Sequence, residues 1–239
     1  MIAFMDAEFN CGGGKGKKKD MSLIEVALII VEDIYSDKII DRYHAYSKPK
    51  MNKGILYPIV KGLTHISQQD VNNGKSFKDV YYDLITYISQ YDISEIYVWG
   101  NFDKYGFKWN CALYDEITYQ NQLTDKIIDI SKDCIKRIGL TEQMALTDIA
   151  YVCECDKENH HNAIDDTEIL AGVVWHVYNN SFDKRKIQEY SQYIKHRAAY
   201  NALKTAINRI KESNGDLNEY LRMAMRNDGF PCFTYQKDE

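Results

Sequence analysis

Apolar and polar positions alternate first at the amino end. Residues 1–9 are apolar except for Asp6 and Glu8, a period-two spacing that predicts a short buried strand with both carboxylates on one face. Residues 23–32 are rich in Ile, Val and Leu and predict a second strand, and 38–46 predict a third paired to it. Together they make a strand meander. Ser76-Phe-Lys-Asp79 has the form of a capping box, and Phe77, Val80, Tyr81, Leu84, Ile85 and Ile88 follow at helical spacing. Residues 95–99 read as a buried strand that passes through Gly100-Asn101 into a helix beginning near Asp103. Residues 123–138 fit one amphipathic helix stopping at Gly139, and 146–153 fit a short strand. A helix over 163–178 carries Ile164, Ile169, Leu170, Val173, Val174 and Val177, with Asp165, Asp166 and Glu168 in its first turns. Two more helices are expected over 186–211 and 217–225, and no internal repeat is visible.

Composition narrows this picture. A chain of 239 residues with 45% hydrophobic content buries one main core with an appendage, and the pattern places it at residues 1–180, followed by a helical extension at 181–239. A net charge of −5 argues against a protein that coats nucleic acid nonspecifically, which needs a large excess of Lys and Arg. Six cysteines at irregular spacing, with no apolar leader before them, point to a reducing, cytoplasmic setting. No run has the apolar length of a membrane span, since Glu25 interrupts the best candidate.

Candidate chemistry centres on four carboxylates: Asp6 and Glu8 on one strand face, Asp103 after another strand, and Asp166 five residues beyond His161. Acids delivered by several elements are the ligand set that hard divalent cations require, and paired cations can drive phosphodiester hydrolysis. Each signal has a plainer reading. About five acidic pairs at the Asp6–Glu8 spacing are expected by chance, and their value lies in falling within an apolar strand. Asp103 alone reads equally well as a helix cap. Cys153, Cys155, His160 and His161 form a possible zinc set, but the cysteine spacing is short for a structural site and leaves the acids unexplained. The Lys- and Gly-rich residues 11–20 lack the Ser or Thr of a phosphate-binding P-loop and read as a mobile basic loop. Basic residues of the tail, interleaved with tyrosines, fit packing or dimerisation through the C-terminal helices better than nucleic-acid contact.

Three separated motifs resemble the DEDDh exonucleases. Phe4-Met-Asp6-Ala-Glu8-Phe9 is similar to the family's Asp-x-Glu strand, with Ile24-Glu25-Val26-Ala27 similar to its second strand. Val98-Trp99-Gly100-Asn101-Phe102-Asp103 resembles the strand-end Asp, and His161-Asn-Ala-Ile-Asp-Asp166 resembles the His-x-Ala-x-x-Asp segment. Lys61-Gly-Leu-Thr64-His65 is similar to the loop that lies near the terminal nucleotide in these enzymes. The wording is nearest the subgroup of bacterial sporulation-inhibitor exonucleases and exoribonucleases linked to RNA interference.

The resemblance implies an α/β ribonuclease H-like fold, a mixed β-sheet flanked by helices. It implies a 3′–5′ exonuclease that uses two divalent cations, Mg²⁺ or Mn²⁺, to shorten single-stranded RNA or DNA from the 3′ end to nucleoside 5′-monophosphates. Asp6 would bridge both metals, Glu8 and Asp166 would complete the nucleophile-side metal, Asp103 would support the second through water, and His161 would be the general base. Phe9, Asn10, Thr64, His65 and Phe102 would meet the substrate. Where many relatives carry Thr after Asp-x-Glu, this chain has Phe9-Asn10, so its sugar contact is expected to differ. Two other functions fit the residues: a phosphodiesterase for short oligonucleotides or cyclic dinucleotides, and a non-catalytic binding module on the same fold.

Overall fold

Strand β1 (Ile2–Cys11) lies at the centre of a five-stranded sheet. In this computed structural model the described residues are 1–12, 21–114, 117, 121–140, 144–155, 162–190, 192 and 196. Strand β2 (Met21–Val31) runs antiparallel to β1, and β3 (Ile39–Tyr46) antiparallel to β2, which is the expected meander. A one-turn 3-10 helix (Met51–Gly54) leads to α1 (Pro58–Thr64), α2 (Gln68–Asn73) and α3 (Phe77–Gln90). Strand β4 (Glu95–Val98) then lies parallel to β1, on the side away from β2. Helices α4 (Phe102–Leu113) and α5 (Asn121–Thr124) precede β5 (Ile127–Asp129), which pairs parallel with β4. Helices α6 (Ser131–Arg137), α7 (Leu146–Cys153) and α8 (Ala163–Tyr178) follow. The sheet order is β3-β2-β1-β4-β5.

Strand alternation divides the molecule into layers. Ala3, Met5, Ala7 and Phe9 of β1 join Leu23, Val26, Leu28 and Ile30 of β2 in one core, closed by Phe77, Val80, Tyr81, Leu84 and Ile88 of α3 and Phe107 of α4. Burying each such large side chain contributes roughly 1.5–3 kcal/mol. Period two therefore turns Phe4, Asp6 and Glu8 to the opposite face. There α8 packs on β1 and β2, with Ile169, Leu170, Val173, Val174 and Val177 buried. The hydroxyl of Ser76 starts α3 by accepting the Asp79 N–H at 3.1 Å.

Two expected elements differ. Residues 146–153 form α7 and not a strand: Ala145 is an extended cap whose N–H donates to the Asp148 carboxylate at 3.3 Å, and Ile149, Ala150, Val152 and Cys153 are buried. An apolar run of eight residues does not show its period, and packing against α8 decides it. Residues 123–138 are not one helix. Pairing with β4 extracts Ile127–Asp129 as a strand, and the Asp129 carboxylate then accepts the Ser131 N–H at 3.0 Å where α6 begins.

The chain divides into two compact units, Met1–Lys184 and Arg185–Glu239. Of the helices expected in the tail, residues 186–190 are helical, and the rest lies almost wholly outside the described residues, as does the dimer contact expected of it. Most of the basic loop, residues 13–20, also lies outside them. Among the described residues no helix is long and apolar enough to cross a membrane.

Candidate active site

Three of the four expected carboxylates meet above the end of β1. One oxygen each from Asp6, Glu8 and Asp166 lies within 4.8 Å of the other two. Period-two spacing sets Asp6 and Glu8 side by side, and the first turn of α8, resting on β1 and β2, delivers Asp166 to them. Asn162 caps that helix, its side-chain oxygen accepting the Ile164 N–H at 3.0 Å.

Asp103 reaches the same place by another route. Strand β4 pairs with β1 only along Ile2–Phe4, so the Ala7 N–H has no strand partner on that side. The chain turns at Gly100, whose φ of +84° suits a residue without a Cβ, and α4 starts at Phe102. Asp103, 5% exposed, then accepts the Ala7 N–H at 3.1 Å. Asn101 is the helix cap by position and makes no side-chain cap bond, and the Asp103 carboxylate serves both its own N–H in the first turn of α4 and the Ala7 N–H of β1. The Asp129 carboxylate braces the turn, accepting the Gly100 N–H at 2.9 Å and the Ser131 hydroxyl at 2.6 Å.

Crowding shapes the electrostatics. Burial, then the charges of Asp103, Glu8, Asp166 and Glu25, hold Asp6 well above the usual carboxylate range. Burial, then Asp166, Glu25 and Asp103, push Glu8 up to about 8. Burial also raises Asp103 to about 7, against the lowering effect of its own N–H and that of Ala7. Anions held this close favour a divalent cation, which would relieve both desolvation and repulsion. The donor set fits: all are carboxylate oxygens gathered within 4.8 Å of one another, the hard ligands that cations of the Mg²⁺ type take.

The expected substrate contacts divide into two groups. Phe102 is 53% exposed, with buried Phe9 against it edge-on at 5.6 Å between centroids. His65 is exposed at the left-handed end of α1. Asn10 and Thr64 instead point inward. The Asn10 amide donates to the Ile55 carbonyl at 3.0 Å and accepts the Tyr57 N–H at 2.9 Å. The Thr64 hydroxyl donates to the Val60 carbonyl at 3.0 Å. Asn10 thus holds the approach to α1 against β1. His161, with His160, lies outside the described residues, two positions before Ala163.

A β-bulge sits beside the site. The β1–β2 register shifts between Glu8 and Phe9, leaving Ile24 unpaired to pack with Leu56, Val60, Ile66 and Val71. The Leu23 N–H there donates to the Asn110 side chain of α4 at 3.0 Å. Two residues that sequence reasoning did not assign also converge here, Glu25 and Asp129. Glu25 had a signal, as the one acid inside an apolar strand; Asp129 was hidden within the expected long helix.

Comparisons with known proteins show the family and the fold. The family model RNase_T, described as Exonuclease, matches residues 3–174. The 3′–5′ exonuclease eri1 of Schizosaccharomyces pombe is 30% identical over 90 residues, 38% of this chain and 30% of that protein, so the match spans under a third of the relative's length. The nuclease domain of 3′hExo, a DEDDh family member solved bound to rAMP, superposes with a TM-score of 0.68 at 20% identity, covering 76% of this chain and 92% of that one. A 3′-exonuclease solved in specific recognition of the histone mRNA stem-loop gives 0.66 at 19% identity, covering 76% and 82%. With the matched model spanning β1 through most of α8, the chain belongs to the RNase T exonuclease family and has the ribonuclease H-like fold of its DEDDh members.

Proposed function

We propose that the protein is a metal-dependent 3′–5′ exonuclease acting on single-stranded RNA or DNA ends. The observation that carries this reading is the convergence of Asp6, Glu8 and Asp166, with Asp103 buried beside them. Asp6, Glu8 and Asp166 would hold one divalent cation, Mg²⁺ or Mn²⁺, and Asp6 and Asp103 would support a second. When bound, the pair supplies Lewis-acid activation of a water and neutralises charge in the pentacovalent transition state.

The chain's own residues do the remainder. His161 takes the proton of the attacking water, a task suited to an imidazole that titrates near neutrality. Water adds to the terminal phosphorus, the bond to the preceding 3′-oxygen breaks, that oxygen gains a proton from solvent, and a nucleoside 5′-monophosphate departs. Phe102, braced by Phe9, offers an exposed aromatic face to the terminal base. His65 stands at the end of α1, whose approach Asn10 holds against β1.

The test is incubation of 5′-labelled single-stranded RNA and DNA with the protein and Mg²⁺ or Mn²⁺, beside the Asp6→Ala variant. The expected result is a ladder of progressively shorter labelled products that disappears in the variant. Uncut substrate of both kinds in both metals would refute the reading.

A further inference from the structure

Glu25 is buried between two elements of the site, 1% exposed, with both oxygens engaged. The His44 Nε2–H of edge strand β3 donates to Oε1 at 2.8 Å, and the Ala163 N–H donates to Oε2 at 3.0 Å. A carboxylate tolerates such burial only when charge-assisted hydrogen bonds offset its desolvation. Ala163 is the first residue of α8, so its N–H is one of those a helix leaves without an internal partner. The positive end of the helix dipole favours an acid there as well. In the β1–β2 register Glu25 stands directly across from Glu8, and Asp166 follows Ala163 by one helical turn. A single side chain therefore links the strand position opposite Glu8 to the turn that carries Asp166.

We infer that Glu25 is a positioning residue for the acidic cluster: it fixes the first turn of α8 against β2, and so sets the separation of Asp166 from Asp6 and Glu8. His44 orients it from the sheet edge. The inference rests on reading Asp6, Glu8 and Asp166 as cation ligands. It demands hydrogen bonds of the right reach and not negative charge alone. Gln at position 25 retains that reach: its oxygen accepts the Ala163 N–H, and its amide donates to His44 in the other imidazole tautomer. Asp retains the charge but is one methylene too short to serve both partners.

The experiment compares the full chain with Glu25→Gln, Glu25→Asp and Glu25→Ala in three readouts: Mn²⁺ binding followed by the electron paramagnetic resonance of the free ion, amide hydrogen exchange over residues 163–166, and kcat and KM on a 5′-labelled single strand. Glu25→Asp and Glu25→Ala are expected to lose about 10- to 100-fold in Mn²⁺ affinity and kcat, with KM changed less than about threefold. Their exchange at 163–166 should quicken. Glu25→Gln should stay within about fivefold of the unsubstituted protein in binding and kcat. Glu25→Asp indistinguishable from the unsubstituted protein, or Glu25→Gln falling as far as Glu25→Ala, would overturn the inference. Absence of cleavage by the unsubstituted protein would overturn the exonuclease reading, while the Mn²⁺ and exchange readouts would still decide the role of Glu25. Absence of Mn²⁺ binding by it would overturn both.

Discussion

Asp103 accepts the backbone N–H of Ala7 at 3.1 Å, and Ala7 is the residue between Asp6 and Glu8. One carboxylate thus completes the hydrogen bonding of β1 beyond its last pair with β4 and adds charge beside the two acids that point the other way. The same group has a structural and an electrostatic duty. Substitutions separate them.

Asp103→Asn keeps an oxygen that can accept the Ala7 N–H, and it removes a buried charge. Its stability in urea unfolding should equal or exceed that of the unsubstituted protein, while cleavage falls by about 100-fold or more. Asp103→Ala leaves the buried N–H unpaired and should lose about 1–3 kcal/mol besides activity. Equal stability of the two variants would remove the structural duty.

Stability should also depend on pH in a direction opposite to that of an ordinary salt-bridged acid. Glu8 rises from an ordinary 4.5 to about 8, Asp103 rises to about 7, and Asp6 is held well above the usual carboxylate range by burial and its acidic neighbours. Such groups bind more protons folded than unfolded. Their contribution is complete below the unfolded pKa and is lost as pH rises through the folded pKa. Without metal, thermal melts should therefore show Tm falling between about pH 4.5 and 8, with Glu8→Gln flattening the fall. Saturating Mg²⁺ or Mn²⁺ at pH 8 should restore at least about 4 °C, since cation binding to the folded state alone stabilises it. A metal-free Tm that climbs over this range would contradict the crowding described.

Gly106 lies in α4 where a Cβ would meet the ring of Phe9 at 2.2 Å. Helix propensity alone would favour Gly106→Ala by roughly 1 kcal/mol. The clash should win, with a net loss of about 1–3 kcal/mol as Phe9 and the half-exposed Phe102 against it shift. A double-mutant cycle with Phe9→Leu checks it: the loss should shrink when the ring is gone.

Asn10→Ala should strip the paired bonds to Ile55 and Tyr57, lowering stability by about 1–3 kcal/mol. Because these bonds hold the approach to α1, KM for a single strand should rise more than kcat falls. The reverse split would place Asn10 closer to the chemistry than its burial implies.

Much of this arrangement was legible in the order of residues. Asp6 and Glu8 on a period-two strand, the meander to Tyr46, α3 with its Ser76 cap, and α8 all follow from local rules of spacing and capping. What escaped depends on distant partners. Ile127–Asp129 is a strand only because β4 lies beside it, and the eight residues of α7 suit either period until α8 covers them. Glu25 stood out as an acid among apolar neighbours, yet its partners His44 and Ala163 lie 19 and 138 positions away, so only the fold reveals its duty. Asn10 fits a substrate contact by position alone; its burial and its bonds to Ile55 and Tyr57 come from a loop 45 residues on.

The most direct measurement is the release of mononucleotide from a 3′-end-labelled single strand, followed for the unsubstituted protein and Asp6→Asn with Mg²⁺ or Mn²⁺ and with the metal chelated. The account expects labelled nucleoside 5′-monophosphate as the first product, no release after chelation, and a fall of about 1,000-fold or more in Asp6→Asn. Release that survives chelation, or that proceeds unchanged in Asp6→Asn, would contradict it.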